Sequence, residues 1–219
     1  MDFLSNLGQG SFGIVHKARS AKSHTELAVK RLTLITLQAQ FREALREVAV
    51  HRELRHSNIV SFIDFCQDNR NVWLFIEFCD KSDLHQYVLK HGLSEGTMLL
   101  IMSGCCDAID YLHHRTPRVV HRDIKPTNVL IKSDGDTVIA KLSDFGYAKL
   151  KSGGSVSVMN TYAGTVAYMA PEISKGGFTE YRRDVDIFSM GIVLLHMIRI
   201  LSTGLRDIHA EASKLLFEL

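Results

Sequence analysis

The feature that most constrains the fold of this chain is a change in hydrophobic periodicity near residues 79–82. Before it, short segments such as IVHKARS and ELAVKRL alternate apolar and polar residues, as strands with one buried face do. After it, longer segments such as EGTMLLIMSGCCDAIDYLHHR have the length and one-sided apolar content of helices. The 219 residues therefore predict an α+β fold, with a strand-rich part followed by a helix-rich part.

The strand-rich part contains one segment of helical character. Residues 38–55 place Phe41, Ala44, Leu45 and Val48 on one face at helical spacing. The segments NIVSFIDF and NVWLFIEFC then predict two more strands, separated by the polar turn CQDNRN.

The helix-rich part begins with a short helix, SDLHQYVLKHG, which has a capping signal at Ser82 and Asp83 and ends at Gly92. Beyond the long helix, NVLIK and IAKLSD predict a hairpin through the turn SDGD. Residues 147–165 are rich in Gly, Ser and Thr and predict a long loop, of the kind that is usually functional or disordered. The rest of the chain has helical character.

Composition narrows the class of protein. The net charge of +2 gives no electrostatic reason to expect nucleic acid or an anionic membrane as the main partner. The four cysteines form no C-x-x-C pair, which favours a reduced, intracellular protein over a disulfide framework or a zinc site. The N-terminal residues have no basic, then apolar, signal-peptide pattern. We therefore expect a cytoplasmic location and leave a nuclear one open.

Residues 187–201 form the segment that most resembles a membrane span. A helix that spans a membrane needs about 20 residues. This segment is shorter, and it contains His196 and Arg199. We interpret it as a buried core helix.

A polar cluster, HRDIKPTN, interrupts the apolar sequence between residues 119 and 131. Charged residues are seldom buried without partners, so the cluster needs a chemical explanation. Asp144, in SDFG, follows Asp123 by 21 residues, with the predicted hairpin between them. Such a hairpin brings Asp123, Asn128 and Asp144 to one end, because its two outer ends meet. Carboxylate and amide oxygens are ligands that suit Mg²⁺.

Two motifs near the N-terminus have a plain and a functional interpretation. In GQGSFGIV, a strand-like IVHKA follows the last glycine, which favours a hairpin; a simple turn and a cover over nucleotide phosphates both remain open. In AVK, Lys30 is either an edge lysine in solvent or a phosphate contact held by a carboxylate. Of the two helix carboxylates, Glu43 points away from the apolar face, whereas Glu47 lies near its edge and is the better partner.

Together these motifs resemble the eukaryotic protein kinase family. The matching elements, in the order of the family, are GQGSFGIV, AVK, a helix glutamate, HRDIKPTN, DFG, APE and DVDIFSMG. The resemblance covers the chain from about residue 7 to about residue 200. It implies one bilobal kinase domain: a small antiparallel β-sheet lobe with one helix, residues 1–79, that binds the nucleotide, and a mainly helical catalytic lobe, residues 80–219, that is incomplete at its C-terminus.

The resemblance also implies roles for individual residues, with ATP and Mg²⁺ as cofactors. Lys30, paired with Glu47, would hold the α- and β-phosphates; Asn128 and Asp144 would bind Mg²⁺; and Asp123 would accept the proton of the substrate hydroxyl. Ile76 would be the gatekeeper beside adenine. The nucleotide-binding set would comprise Leu7, Gly8, Gly10, Gly13, Val15, Ala28, Lys30, Glu77, Cys79 and Leu130.

Further residues point to the serine/threonine class and to regulation. Lys125 matches that class and would contact the transferred phosphate, Thr165 would support Asp123 and Lys125, and Asp186 would anchor the backbone at His121 and Arg122. We hypothesise that a phosphate on Thr161 pairs with Arg122 and orders the loop. The alternative is that the hydroxyl residues of this loop are ordinary polar residues.

The chain departs from the family pattern in two places. His51 replaces the usual leucine in a stack with Phe62, His121 and Phe145. It either loosens the active arrangement or, as we favour, packs as a neutral ring. The chain also stops at Leu219, where the family normally continues with more helices.

That early stop leaves Glu172 without a clear partner; Arg206 is a conceivable substitute. The segment GLRDIHAEASKLLFEL is expected to cover part of the exposed apolar surface as an amphipathic helix.

Two hypotheses follow. One is an active serine/threonine kinase, or an isoform or fragment of one, with ATP and protein substrates as partners. The other is a non-catalytic binding module of kinase shape. Retention of Lys30, Asp123, Asn128 and Asp144 favours the first, and the early stop favours the second. The sequence identifies neither the protein substrate nor the oligomeric state.

Overall fold

A five-stranded antiparallel sheet forms the first part of the molecule. The computed structural model describes residues 1–10, 13–33, 45, 47–150, 167–171 and 183–204. The strands are β1 (Asp2–Gly10), β2 (Gly13–Arg19), β3 (Glu26–Thr33), β4 (Phe62–Gln67) and β5 (Asn71–Glu77). Their order across the sheet is β1-β2-β3-β5-β4.

The alternation of β3 gives the sheet two apolar faces, because successive side chains point to opposite sides. Leu27 and Val29 pack with Trp73 and Phe75 on one face. Leu32 packs on the other face in a cluster that also contains Val48, Val72 and Leu74. Val48 belongs to the described helical residues 47–51 of the predicted helix, so the helix lies against the second face.

The second part consists mainly of helices and one hairpin. Its elements are α1 (Leu84–His91), α2 (Glu95–His114), β6 (Val119–Val120), β7 (Val129–Asp134), β8 (Thr137–Leu142), β9 (Lys149–Leu150) and α3 (Asp184–Thr203). The two strands β7 and β8 pair with each other, and β6 pairs with β9. The predicted α+β architecture is confirmed.

Helix α1 begins and ends where its sequence predicts. The side chain of Asp83 accepts a hydrogen bond from the Gln86 amide at 3.0 Å, which satisfies one of the free donors at the helix start. Gly92 ends the helix at φ 77°, a conformation that glycine adopts without strain. β5 ends at Glu77 and α1 begins at Leu84; the boundary at residues 79–80 stays a prediction.

The strand expected from residues 58–65 was placed wrongly. β4 starts at Phe62, and the preceding residues pair with the hairpin of the second part instead. The Leu142 amide donates to the Asn58 carbonyl at 2.8 Å, and the Val60 amide donates to the Leu142 carbonyl at 2.9 Å. Both uses require an extended, apolar segment, so the pattern by itself does not distinguish them.

Helix α3 contains the membrane-like segment. Within the part of the chain that the structure describes, it is long and apolar enough to cross a membrane by length and composition, and 50% of its apolar window is buried inside the protein. A buried core helix passes the same test. One face of the helix makes such contacts, since Val193 and Met197 are fully buried in the main apolar cluster, whereas Ile187 and Leu195 are exposed.

A stack of four aromatic rings runs from the sheet into the second part. Its centroid distances are 5.8 Å from Phe62 to His51, 4.9 Å from His51 to Phe145 and 5.1 Å from Phe145 to His121. The Nε2 nitrogen of His51 lies 2.7 Å from the carbonyl oxygen of Val60, to which it donates. Burial lowers the pKa of His51 to about 4, so His51 packs as a neutral ring, as expected.

We expect Gly104→Ala to destabilise the fold. A Cβ at Gly104, in α2, would lie 2.4 Å from Asn58 Nδ2, which donates to the Ala140 carbonyl at 2.9 Å. Displacing that buried amide should lower the free energy of unfolding by about 1–3 kcal/mol, as measured by urea denaturation. Gly191→Ala, in α3, is the matched control, because its Cβ would meet no atom of the described residues within 4 Å. Equal effects in both variants would contradict the prediction.

We expect His51→Leu to remove part of the pH dependence of stability. Folded His51 stays neutral down to a pKa of about 4, whereas the unfolded ring takes up a proton below its ordinary pKa of 6.5. The difference in pKa between the folded and unfolded states stabilises the folded protein. This contribution to the free energy of unfolding is complete above pH 6.5 and is lost as the pH falls towards 4. The wild type should lose about 2 kcal/mol more than the variant between about pH 7.5 and about pH 5. Parallel curves from urea denaturation would exclude this role.

Candidate active site

Lys30 connects three parts of the molecule. Its Nζ lies 2.7 Å from Glu47 Oε1 and 2.9 Å from Asp144 Oδ1. β3 supplies the lysine, the helical residues 47–51 supply Glu47, and Asp144 follows β8. The pairing with Glu47 is the one that helical spacing predicted; Glu43 lies outside the described residues.

Lys30 and Asp144 stabilise each other's charges, whereas burial raises the pKa of Glu47 although the Lys30 charge opposes the rise. Burial by itself would lower the pKa of Lys30, but the negative charges of Asp144 and Glu47 outweigh it and raise that pKa above its ordinary value. Burial would raise the pKa of Asp144, yet the adjacent Lys30 charge holds it below its usual range. Lys30 and Asp144 are thus an ammonium and a carboxylate at neutral pH, in an environment that screens charge weakly.

Asp123 is held by two neighbours from its own motif. Asn128 Nδ2 donates to both the backbone oxygen and Oδ2 of Asp123, each at 2.8 Å. Lys125 Nζ lies 2.8 Å from the same Oδ2. The other carboxylate oxygen, Oδ1, makes no hydrogen bond within the part of the chain that the structure describes. Burial raises the pKa of Asp123, although the Lys125 charge opposes the rise, so the carboxylate binds a proton more readily than an exposed aspartate.

Asp186 fixes the backbone just before Asp123. Its fully buried carboxylate accepts hydrogen bonds from the amides of His121, at 2.9 Å, and Arg122, at 2.7 Å. Arg122 has φ 71°, an uncommon conformation for a residue with a Cβ that needs surrounding contacts to persist. This is the anchoring that the resemblance implied. His113, whose Nε2 lies 2.8 Å from Asp186 Oδ2, was not predicted, because no motif in the sequence marks it.

The hairpin brings Asn128 and Asp144 to the same end. Val129 faces Leu142 in the β7–β8 register, and Ser143 donates to the Asn128 carbonyl from its amide at 2.9 Å and from its hydroxyl at 3.0 Å. Lys30 thus contacts Asp144, the residue after Ser143, and Ser143 is bonded to Asn128, whose side chain contacts Asp123. The convergence predicted from the hairpin is present, while the roles assigned to these residues stay predictions.

The oxygens of Asn128 and Asp144 fit a hard cation that takes few protein ligands. No group of three or more His, Cys, Asp or Glu residues suited to a metal occurs among the residues described. Mg²⁺ needs no such group, because it keeps waters and binds phosphate oxygens beside one or two protein ligands. Asn128 uses its amide nitrogen for Asp123, and Asp144 uses Oδ1 for Lys30. Asn128 Oδ1 and Asp144 Oδ2 are the atoms that remain for a cation.

The sheet aligns much of the predicted nucleotide set. Gly8 pairs with Val15 and Val15 pairs with Lys30, so these residues share a face of the sheet. Ala28, two residues before Lys30, is on the same face and pairs with Ile76 of β5.

The remaining members of that set lie on β1, β2, β5 and β7 or, for Cys79, just after β5. Gly13, at φ 142°, has no room for a Cβ, which would lie 1.9 Å from the Arg31 carbonyl oxygen. Gly10 pairs with Gly13, Leu7 of β1 is exposed, and Leu130 of β7 is partly buried. Burial raises the pKa of the Cys79 thiol to about 12.

Several predictions concern residues that the structure does not describe. These are the proposed phosphate acceptor Thr161, the supporting Thr165, Glu172 with its conceivable partner Arg206, and the amphipathic segment at residues 204–219, of which Gly204 alone is described.

Two further charged residues, Lys132 and Lys141, were missed. Both contact the side chain of Glu77. The signal for Lys141 was a charged residue inside the otherwise apolar strand IAKL.

Comparison with known proteins places the chain in a family. Residues 1–206 match the model of the protein kinase domain. From Arabidopsis thaliana, serine/threonine-protein kinase ATG1b is 32% identical over 88% of this chain and 26% of its own length, and proline-rich receptor-like protein kinase PERK1 is 36% identical over 94% and 30%. Serine/threonine-protein kinase RAD53 of Saccharomyces cerevisiae is 34% identical over 86% and 24%. The chain thus spans between 24% and 30% of the length of these relatives. It belongs to the protein kinase family.

Proposed function

We propose that this chain transfers the γ-phosphate of ATP to serine and threonine hydroxyls of proteins, with Mg²⁺ as cofactor. The observation that carries the proposal is a line that runs from Lys30 to Asp144, through the neighbouring residue Ser143 to the carbonyl of Asn128, and from the Asn128 side chain to Asp123. Phosphoryl transfer depends mostly on positioning and charge neutralisation. One line of polar groups that begins with a buried ammonium and ends with a carboxylate serves both needs.

The Lys30 end of this line suits the phosphates of ATP. Lys30 stands on the same sheet face as Gly8 and Val15, so its ammonium would meet phosphates placed under the glycine-containing strands. Asn128 and Asp144 would hold Mg²⁺, which neutralises phosphate charge when it is bound. Glu47 keeps the ammonium of Lys30 in position by accepting a hydrogen bond from it at 2.7 Å.

The Asp123 end suits the hydroxyl that is phosphorylated. Its Oδ2 is committed to Lys125 and Asn128, which fixes the carboxylate and leaves Oδ1 for the substrate. A pKa raised by burial favours uptake of the hydroxyl proton. Lys125 places a positive charge next to Asp123, and its position in HRDIKPTN supports the serine/threonine class. Two similar proteins carry that class in their names.

We expect Asp123→Asn to lower transfer of labelled phosphate from ATP to a generic basic protein by at least about a hundredfold. The amide cannot accept the proton, whereas the groups proposed to hold Mg–ATP are unchanged. The rise in Tm on adding Mg–ATP should therefore persist. Asp136→Asn, at an exposed residue of the β7–β8 turn, is the control and should retain full transfer.

Two outcomes would contradict parts of this proposal. Folded wild-type protein that transfers no phosphate but is stabilised by Mg–ATP would support the non-catalytic binding module instead. Transfer that is equal in the wild type and Asp123→Asn would remove Asp123 from the role of base.

Regulation through Thr161 is the second part of the proposal. A phosphate on Thr161 would pair with the guanidinium of Arg122, whose backbone Asp186 already holds next to Asp123. We expect Thr161→Ala to lower transfer by protein that has been phosphorylated on this loop, and to increase cleavage of residues 151–166 by protease. Ser157→Ala is the matched control. Unchanged activity and unchanged cleavage in Thr161→Ala would contradict this regulation.

A further inference from the structure

Glu77, at the end of β5, binds three groups through its side chain. Lys132 Nζ lies 2.6 Å from Oε1, Lys141 Nζ lies 3.0 Å from Oε2, and the Ser61 amide donates to Oε2 at 3.1 Å. Burial by itself would raise the pKa of Glu77, but the hydrogen bonds from Lys132, Lys141 and Ser61 lower it. The side chain is 15% exposed, so a charged carboxylate is held away from most of the solvent.

Lys141 adds a second contact between this network and residues 57–61. Its side chain, on β8, is 9% exposed, and its Nζ also donates to the Ser57 carbonyl at 2.7 Å. Glu77 and Lys141 therefore join residues 57–61, the end of β5 and the β7–β8 hairpin. We call this group of contacts the Glu77 clamp: Glu77, Lys132 and Lys141 with the backbone of Ser57 and Ser61.

The clamp lies between two parts of the proposed active site. On one side, residues 78–83 are the stretch through which the chain passes from the sheet to the helices, and Cys79 belongs to the predicted nucleotide-binding set. On the other side, the hairpin joins Asn128 to Asp144, the proposed metal ligands. Backbone hydrogen bonds also tie the two sides, from the Lys81 amide to the Ile131 carbonyl at 3.0 Å and from the Ile131 amide to the Ser82 carbonyl at 2.8 Å.

We propose that Glu77 is a positioning residue whose carboxylate holds the sheet and the hairpin in the arrangement that binds nucleotide. This inference rests on the proposed function. Without the clamp, residues 78–83 connect two bodies that can change their relative angle, and a smaller fraction of molecules is ready to bind. Apparent affinity falls in proportion to that fraction. Bound ATP would itself bridge the two sides, so the rate at saturation is preserved.

The test compares Glu77→Gln and Lys141→Met with the wild type. Each should raise the KM for ATP about fivefold or more and leave kcat within about twofold. The double variant should raise KM by less than the product of the two single effects, because the two substitutions share the Glu77–Lys141 contact. The matched control is Glu26→Gln, since Glu26 also meets two cations, Lys17 at 2.8 Å and Arg19 at 3.5 Å, but all three lie on the sheet. Its KM should stay within about twofold of the wild type.

A KM that stays within about twofold of the wild type in both single variants would overturn the inference. So would a fall in kcat at unchanged KM. Lys132→Met covers the case in which Glu77→Gln does not fold, because the Lys132 side chain is 38% exposed. It should raise KM in the same direction by a smaller factor, and an unchanged KM would count against the clamp.

Hydrogen exchange separates this inference from the proposed function. The amides of Lys81 and Ile131 should exchange faster in Glu77→Gln than in the wild type and in Glu26→Gln, with or without nucleotide. Equal exchange in all three proteins overturns the clamp even if the wild type is an active kinase. If the wild type transfers no phosphate but Glu77→Gln still exchanges these amides faster than the wild type, the clamp is supported and the catalytic proposal is rejected.

Discussion

The placement of one buried ammonium group determines the rest of this structure. Lys30 is 8% exposed and meets Glu47 and Asp144 at hydrogen-bonding distance. Charges in such an environment are costly to desolvate, and removing one member of a buried pair leaves an uncompensated charge that costs about 3–5 kcal/mol. The sheet, the helix that contains Glu47 and the segment after β8 can therefore take only relative positions that keep these three side chains together.

The second part of the molecule supports this arrangement by fixing backbone rather than by adding charge. Asp186 accepts hydrogen bonds from consecutive amides at His121 and Arg122, and the hairpin register sets Asn128 beside Ser143. Both devices act on residues next to the proposed catalytic groups. Positioning from helices and strands, rather than from loops, is what a site that works by geometry requires.

The chemistry-bearing residues could be identified from the sequence because each occupies a fixed place in a short motif. Helical spacing distinguished Glu47 from Glu43, and the hairpin between Asp123 and Asp144 predicted that the two residues converge. The hydrophobic pattern failed to predict the partner of a segment where two different strand pairings need the same extended backbone. Residues 58–60 are extended whether they join β4 or pair with β8, and nothing in their side chains separates these cases.

The sequence by itself predicted most of the strands and helices, the caps of α1 and, through its resemblance to a known family, the proposed site residues, because periodicity and motif spacing are local properties of the chain. Tertiary structure alone decided the partners of the buried charges. Glu77 was predicted as a member of the nucleotide-binding set, yet its side chain meets two lysines that lie 55 and 64 positions further along the chain. His113 reaches Asp186 across 73 positions. Such contacts depend on how β7, β8, α2 and α3 pack, and packing is set by the whole apolar core rather than by any one segment.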